Sequence, residues 1–92
     1  MPTLVPETEA VHHLFPIQST EAEALIARLK EHKVFCGRHY PVACHLQPAL
    51  KGLIPEGVSY PVSEKLCENI VSLPIFAEMT HEMVDLVCDL LL

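Results

Sequence analysis

The chain is poor in aromatic and basic residues. Its 92 residues include no tryptophan, two tyrosines, three phenylalanines and three glycines, and six Lys and Arg stand against twelve Asp and Glu. The formal charge is therefore −6 at neutral pH. Binding to a phosphate backbone needs clustered Lys and Arg, so we do not expect a nucleic acid as a partner.

Long uncharged apolar runs are missing as well. The N-terminal "MPTLVPETEA" has acids where a signal peptide has bases. The final "MVDLVCDLLL" is apolar but short, and Asp85 and Asp89 interrupt it. We therefore expect no membrane span and a cytoplasmic protein. In that compartment the four cysteines would be reduced thiols, with Cys67 and Cys88 packed in the core.

The apolar residues, half of the chain, are enough for a folded core. Their spacing predicts one α+β domain over residues 1–92, with a three-stranded, mainly antiparallel sheet and about three helices in the order β-α-β-α-β-α. We place the short third strand between the first two. The predicted elements are a strand at 10–18, a helix at 19–33, a strand at 34–42, a helix at 61–72, a strand at 72–76 and a last helix after Thr80.

Local signals support these boundaries. Thr20 and Glu23 have the spacing of a capping box, and Thr80 is a typical N-cap. Pro16 cannot donate to a ladder, which predicts an edge strand or a free N–H side there. Pro61 suits a first helical turn, and Pro74 requires the preceding helix to end before it.

The stretch "CGRHYPVACHLQP" contains four residues that could carry chemistry: Cys36, His39, Cys44 and His45. A zinc site needs four converging ligands, but Cys44 and His45 are neighbours whose side chains point apart in an extended segment. A nucleophilic cysteine needs a lowered pKa and an oriented base, and no helix begins at either cysteine. The third reading is that these histidines lie on the surface or satisfy a hydrogen bond in the core.

The amino-acid sequence of this segment and of the residues after it favours a different interpretation. "HYPVACHLQPALKG", followed by "YPVSEKLCENIVSLPIFAEMTHEMVDLVCDLL", resembles the C-terminal domain of the DegT/DnrJ/EryC1/StrS family of pyridoxal-phosphate-dependent sugar aminotransferases. The family's "HYP", "HLQP", "A-E-K-L", "SLP" and "LT" motifs correspond in order to 39–41, 45–48, 63–66, 72–74 and 79–80. The chain departs from the usual wording at Ser63, and at Ala43 and Cys44. The resemblance covers about residues 4–91.

The resemblance implies the small domain of a fold-type I aminotransferase, which closes over a large domain that holds the cofactor. Such enzymes are dimers that transfer an amino group, typically from glutamate, to a keto sugar linked to a nucleotide. By resemblance, His39 and Tyr40 are the leading substrate contacts and His45 is a weaker one. The expected partners are therefore the large domain, a nucleotide sugar in the complete enzyme, and a second copy of the chain.

The groups that perform transamination are not found in the sequence. The family's Schiff-base lysine follows a Ser-x-x-Lys pattern, and none of the four lysines has a serine three residues before it. We expect no catalytic residue, no bound cofactor and no metal in the chain alone. It would be a fragment of the enzyme, arising by truncation, from a split gene or as a degenerate remnant. The alternative is a non-catalytic interaction or oligomerisation module derived from that domain.

Overall fold

The computed structural model describes residue 3 and residues 5–92. The stretch that we compared with a signal peptide includes Met1, Pro2 and Leu4, which lie outside the described residues. The elements are β1 (Phe15–Gln18), α1 (Ala22–Glu31), α2 (Pro61–Asn69), β2 (Ile70–Leu73) and α3 (His81–Leu91), with short 3-10 turns at Cys44–Leu46 and Pro48–Leu50. The α+β class is confirmed.

The sheet has two strands rather than the predicted three. β1 and β2 are antiparallel, with Pro16 opposite Ser72. The predicted strand at 34–42 contributes a single antiparallel bridge, from Gly37 to Ser72. A longer ladder is blocked because Tyr40 has a φ of 58° and the next residue, Pro41, has no N–H to donate.

The position of Pro16 follows from this bridge. The Ser72 N–H donates to the Gly37 carbonyl at 2.8 Å, and the Gly37 N–H donates to the Ser72 carbonyl at 3.1 Å. The N–H and the carbonyl of Ser72 thus both bond to Gly37, on the side away from Pro16. Pro16 has no N–H to donate, but the Ser72 carbonyl does not need one because Gly37 already bonds to it. Ser72 lies between β1 and the 34–42 segment, where we placed the third strand.

The first helix ends as its sequence requires but does not begin as predicted. Glu21 is the N-cap, and no side-chain hydrogen bond caps it, so the predicted Thr20–Glu23 capping box is wrong. At the other end Lys33 is left-handed, with a φ of 61°. The Val34 N–H then donates to the Leu29 carbonyl at 3.0 Å, which brings these two buried side chains together in a Schellman-type ending.

The second helix is shorter than predicted. Pro61 occupies its first turn, as expected, but the helix ends at Asn69 and the chain continues directly as β2. Ile70 and Val71 were expected to be helical. They are β-branched, and Val71 is fully buried in the sheet, so packing favours the strand.

The last helix has the predicted cap, because the Thr80 hydroxyl accepts a hydrogen bond from the Met83 N–H at 3.4 Å. Its apolar stripe packs on the core through Val87. Cys88 is exposed, which corrects the prediction that it is a core residue, whereas Cys67 is half-buried. None of the helices in the described part of the chain has the length and apolar character of a membrane span.

The molecule exposes more surface than its size requires. Its accessible surface is 7501 Å², whereas a compact monomer of 10.3 kDa exposes about 5,400 Å². The radius of gyration is 16.0 Å, against about 12 Å for a compact domain of this length. With extents of 49 × 38 × 21 Å, the fold is a flat layer around a small core of Leu29, Val34 and Val87.

Candidate functional site

The segment from Gly37 to Tyr40 lies beside the β2 strand, to which Gly37 is joined by an antiparallel bridge at Ser72. His39 Nδ1 and the Ser72 hydroxyl are hydrogen-bonded at 2.8 Å, beside the backbone bridge of Gly37. The imidazole folds back over Gly37 so closely that a Cβ there would lie 2.9 Å from His39 Cε1. A side chain at position 37 would therefore require the His39 ring to shift from its place beside Ser72.

Tyr40 extends from this anchored segment into solvent. The residue is 76% exposed, and its ring centroid lies 6.5 Å from that of His39. Tyr40 also lies at one side of a groove of about 530 Å³, whose walls come from residues 42–54 and from α2. A positive φ is strained for a tyrosine, so the local fold must fix this orientation.

His45 faces the interior of the same groove. Its side chain is only 7% exposed, and its Nε2–H donates to Glu64 Oε1 at 2.8 Å. The ring packs edge-on against Tyr60, with centroids 4.8 Å apart. His45 therefore ties the first 3-10 turn to the start of α2.

Glu64 is the centre of this polar cluster. Its Oε1 accepts hydrogen bonds from the Tyr60 N–H at 2.7 Å, from the Ser59 hydroxyl at 2.9 Å and from His45. The Tyr60 N–H first, then His45 and Ser59, hold the pKa of the Glu64 carboxyl below its usual range. The carboxylate is thus ionised at neutral pH and fixes the turn that leads into the helix.

The four residues of the opening Cys/His cluster do not converge. Cys36 is half-buried, and burial raises the pKa of its thiol, which disfavours the thiolate. Cys44 is exposed, while His39 and His45 have separate partners. Across residues 3 and 5–92, no three His, Cys, Asp or Glu side chains are placed to share a metal ion. That the purified chain carries no stoichiometric zinc stays a prediction for elemental analysis.

The predicted contact residues therefore fall into two groups. Tyr40 and His45 line one groove, and His39 lies next to it over β2. Sequence reasoning missed two polar partners, Arg38 and Ser59, and noted Ser72 in a motif but not as the partner of His39. Glu64 was noted as part of a helix motif but not as the partner of His45. The spacing of Glu64 four residues after Tyr60 is the available signal, since a helical carboxylate can reach back to the N–H one turn before it.

The geometry defines a small α+β domain that presents a histidine and a tyrosine beside a groove. The profile of the DegT/DnrJ/EryC1/StrS aminotransferase family matches residues 1–92, the whole chain. The chain therefore belongs to the DegT/DnrJ/EryC1/StrS aminotransferase family.

Curated relatives agree with this assignment. The chain is 35% identical over 75 residues to a dTDP-3-amino-3,4,6-trideoxy-alpha-D-glucose transaminase of Streptomyces venezuelae, covering 82% of this chain and 20% of the relative. It is 35% identical over 89 residues to a dTDP-3-amino-3,6-dideoxy-alpha-D-galactopyranose transaminase of Aneurinibacillus thermoaerophilus, covering 97% and 24%.

A third relative has a different kind of name. The chain is 34% identical over 86 residues to the erythromycin biosynthesis sensory transduction protein EryC1 of Saccharopolyspora erythraea, covering 92% of this chain and 23% of the relative. The chain thus spans about a fifth to a quarter of the length of the curated relatives that it matches.

The lysines of this chain do not fit the family's cofactor, pyridoxal phosphate. A Schiff-base lysine is activated in a desolvated pocket or beside another cation. All four lysines, Lys30, Lys33, Lys51 and Lys65, are exposed. No step of amino transfer is therefore assigned to a residue of this chain.

Proposed function

We propose that residues 1–92 form one domain, the small C-terminal domain of a nucleotide-sugar aminotransferase, which contributes substrate contacts and is inactive alone. The observation that carries the proposal is the match of the whole chain to a family whose curated relatives are about four times as long. The complete enzyme would use pyridoxal phosphate bound by the large domain, with an amino acid such as glutamate as donor.

His39 and Tyr40 are the proposed contacts to the nucleotide sugar. Both lie in the segment that is bridged to β2, and the tyrosine ring is largely free to meet a ligand. The Ser72 bond holds the His39 ring in one orientation, which favours recognition because little ordering remains on binding. His45 stays a weaker proposed contact, since its bond to Glu64 and its low exposure direct it inward.

Exposed apolar side chains support the proposal of a large-domain partner. Two grooves of about 490 Å³ flank α3, one with Phe35 and Phe76 in its wall and the other with Phe15 and Val84. Phe35 is 70% exposed. Apolar surface of this extent is typical of an interface that another protein surface covers.

The test is to combine this chain with the large domain of the Streptomyces venezuelae transaminase, from which the matching C-terminal segment has been removed. We expect neither piece alone to aminate that enzyme's sugar nucleotide with glutamate, and the mixture to do so, measured by mass spectrometry of the product. Activity of this chain alone, or an inactive mixture in which sedimentation shows that the two pieces are bound, would contradict the proposal.

Variants then assign the contacts. His39→Gln and Tyr40→Ala should each lower kcat/KM of the mixture at least about tenfold, the loss of one good hydrogen bond or ring contact in the transition-state complex. His13→Gln is the matched control, since His13 is an exposed histidine outside the segment. An equal loss in the control would remove the specific role of His39.

A non-catalytic interaction module is the second candidate, and the same exposed apolar side chains favour it. In that case the chain would bind itself or an intact aminotransferase without restoring activity. Sedimentation over a wide concentration range, with salt to screen the charge of −6, measures self-association. A strictly monomeric chain that binds no apolar-surface dye would contradict the module.

A further inference from the structure

The C-terminal end of α2 lacks the usual capping signals in its own sequence. The helix has no basic residue in its last turn and runs into β2 without a glycine. The last four carbonyls of a helix lack intrahelical partners. Two are satisfied by nearby backbone, because the Ile70 N–H bonds to the Leu66 carbonyl and the Ser19 N–H bonds to the Asn69 carbonyl at 2.9 Å.

Arg38 satisfies the carbonyls of Cys67 and Glu68. Its Nη2 donates to the Cys67 carbonyl at 2.8 Å and also to the Glu68 carbonyl. Its Nη1 donates to the Glu23 carboxylate on α1. A guanidinium carries the positive charge that the negative end of a helix dipole favours, and its planar fork can serve several acceptors at once.

The same arginine lies between the two anchor points of the candidate site. Gly37 before it exchanges two backbone hydrogen bonds with Ser72, and His39 after it bonds to the Ser72 side chain. Three consecutive residues are thus tied to the junction of α2 and β2. Tyr40, the next residue along the chain, has the left-handed backbone conformation, with a φ of 58°.

We propose that Arg38 is a positioning residue, which fixes the His39–Tyr40 segment by capping α2 and does not itself bind substrate phosphate. Because Arg38 is next to His39, a proposed substrate contact, its guanidinium could be taken for a group that binds substrate phosphate. Here, however, both Nη atoms already donate to protein acceptors, and the side chain is only 24% exposed. The positioning role in recognition rests on the proposed function, whereas the anchoring of the segment does not.

Amide hydrogen exchange of the 92-residue chain tests the anchoring directly. In Arg38→Met we expect the Gly37 and Ser72 amides to exchange at least about tenfold faster relative to the Leu29 amide, whose exchange reports opening of the core. Arg28→Met is the matched control, because Arg28 likewise donates to a helix C-terminus, at the Leu90 carbonyl of α3. It should leave the ratio of Gly37 to Leu29 exchange unchanged.

The exchange rate of the Gly37 and Ser72 amides relative to that of the Leu29 amide distinguishes a positioning role of Arg38 from a general effect on stability. If the Gly37, Ser72 and Leu29 amides all accelerate equally in Arg38→Met, the arginine only stabilises the fold and the proposal is overturned. If Arg38→Met does not fold, Arg38→Lys is measured instead. Lysine keeps the charge but not the fork, so we expect a smaller rise in the same ratio, and an unchanged ratio overturns the proposal.

A second arm uses the reconstituted mixture. Arg38→Met should raise KM with little change in kcat, and Arg38→Lys should recover part of the loss. An unchanged KM in an active mixture would overturn the role in recognition. Failure of reconstitution counts against the proposed function alone, because the exchange experiment needs neither the large domain nor substrate.

Discussion

The segment around His39 and the last helix are attached to the fold by different kinds of contact. The segment is held by directional bonds, from Gly37 and His39 to Ser72 and from Arg38 to the end of α2. Helix α3 is held mainly by apolar packing, and Val87 is its one buried residue in the part of the chain described here. Grooves remain open on both of its flanks.

This difference separates two tasks. Hydrogen bonds have narrow geometry, so they can fix where a histidine and a tyrosine point. Apolar contact is non-directional, so a helix that rests on a few side chains can leave apolar surface for a partner. A fold that positions a site with one kind of contact and leaves apolar surface for a partner with the other would be built in this way. Four pairs of substitutions, arranged by expected size of effect, test the division.

The largest effect is expected in the core that both regions share. Leu29 is 0% exposed and packs with Val34 and Val87. Leu29→Ala should lower the free energy of unfolding by about 2–5 kcal/mol, measured by urea denaturation. Leu86→Ala, on the exposed side of α3, should cost less than about 1 kcal/mol. Equal costs would show that α3 is packed as tightly as the core.

The next effect concerns the polar cluster around Glu64, whose His45 and Tyr60 line the groove. His45→Ala removes a buried ring together with its bond to Glu64, and should lower the free energy of unfolding by about 1–3 kcal/mol. His13→Ala removes an exposed ring and should cost almost nothing. If the two variants were equally stable, the His45 pair would add no stability, and the comparison between polar anchoring and apolar packing would fail.

The elements with strong local signals were predictable from the sequence. The stripe of Ala22 and Leu29 on α1, Pro61 in the first turn of α2 and the cap at Thr80 all depend on residues within a turn or two of each other. The family resemblance was also readable, because its motifs occur in order along the chain. Both kinds of signal are local or sequential.

The failures come from contacts between distant parts of the chain. Glu23 was expected to cap its own helix, but it pairs with Arg38, fifteen residues later. Burial of Val71 turns the end of a predicted helix into strand. The role of Arg38 depends on carbonyls twenty-nine and thirty residues away, which no local pattern in the sequence encodes.

A smaller effect is expected at the helix caps. Thr80→Ala removes the side-chain cap of α3 and should cost about 0.5–1 kcal/mol, at the low end for an N-cap because the bond to Met83 is long at 3.4 Å. Thr20→Ala is the control, since no side chain caps α1. Thermal unfolding measures both. A cost at Thr20 equal to that at Thr80 would show that α1 does have a capping box in solution.

The smallest effect is a dependence of stability on pH, expected at Glu64 in the polar cluster and at Glu82 on α3. Hydrogen bonds from the Tyr60 N–H, His45 and Ser59 lower the pKa of Glu64, and its own N–H and the Thr80 hydroxyl lower the pKa of Glu82. A carboxyl with a lowered folded pKa stabilises the native state above its unfolded pKa, near the ordinary value of 4.5, and loses that contribution as pH falls through the folded value.

Glu64→Gln should therefore lower Tm at neutral pH, and the difference from the parent chain should shrink as pH falls below about 4.5. Glu82→Gln should show the same sign with a smaller difference, because Glu82 has fewer partners and they lie in a single helix turn. Calorimetry between pH 3 and pH 7 measures the Tm of both variants in one set of buffers. This interval includes the general range in which carboxyls titrate. A Glu64→Gln difference that persists unchanged at the acid end would mean that the carboxylate's charge does not hold the turn, and that the ring of His45 packed on Tyr60 does so instead.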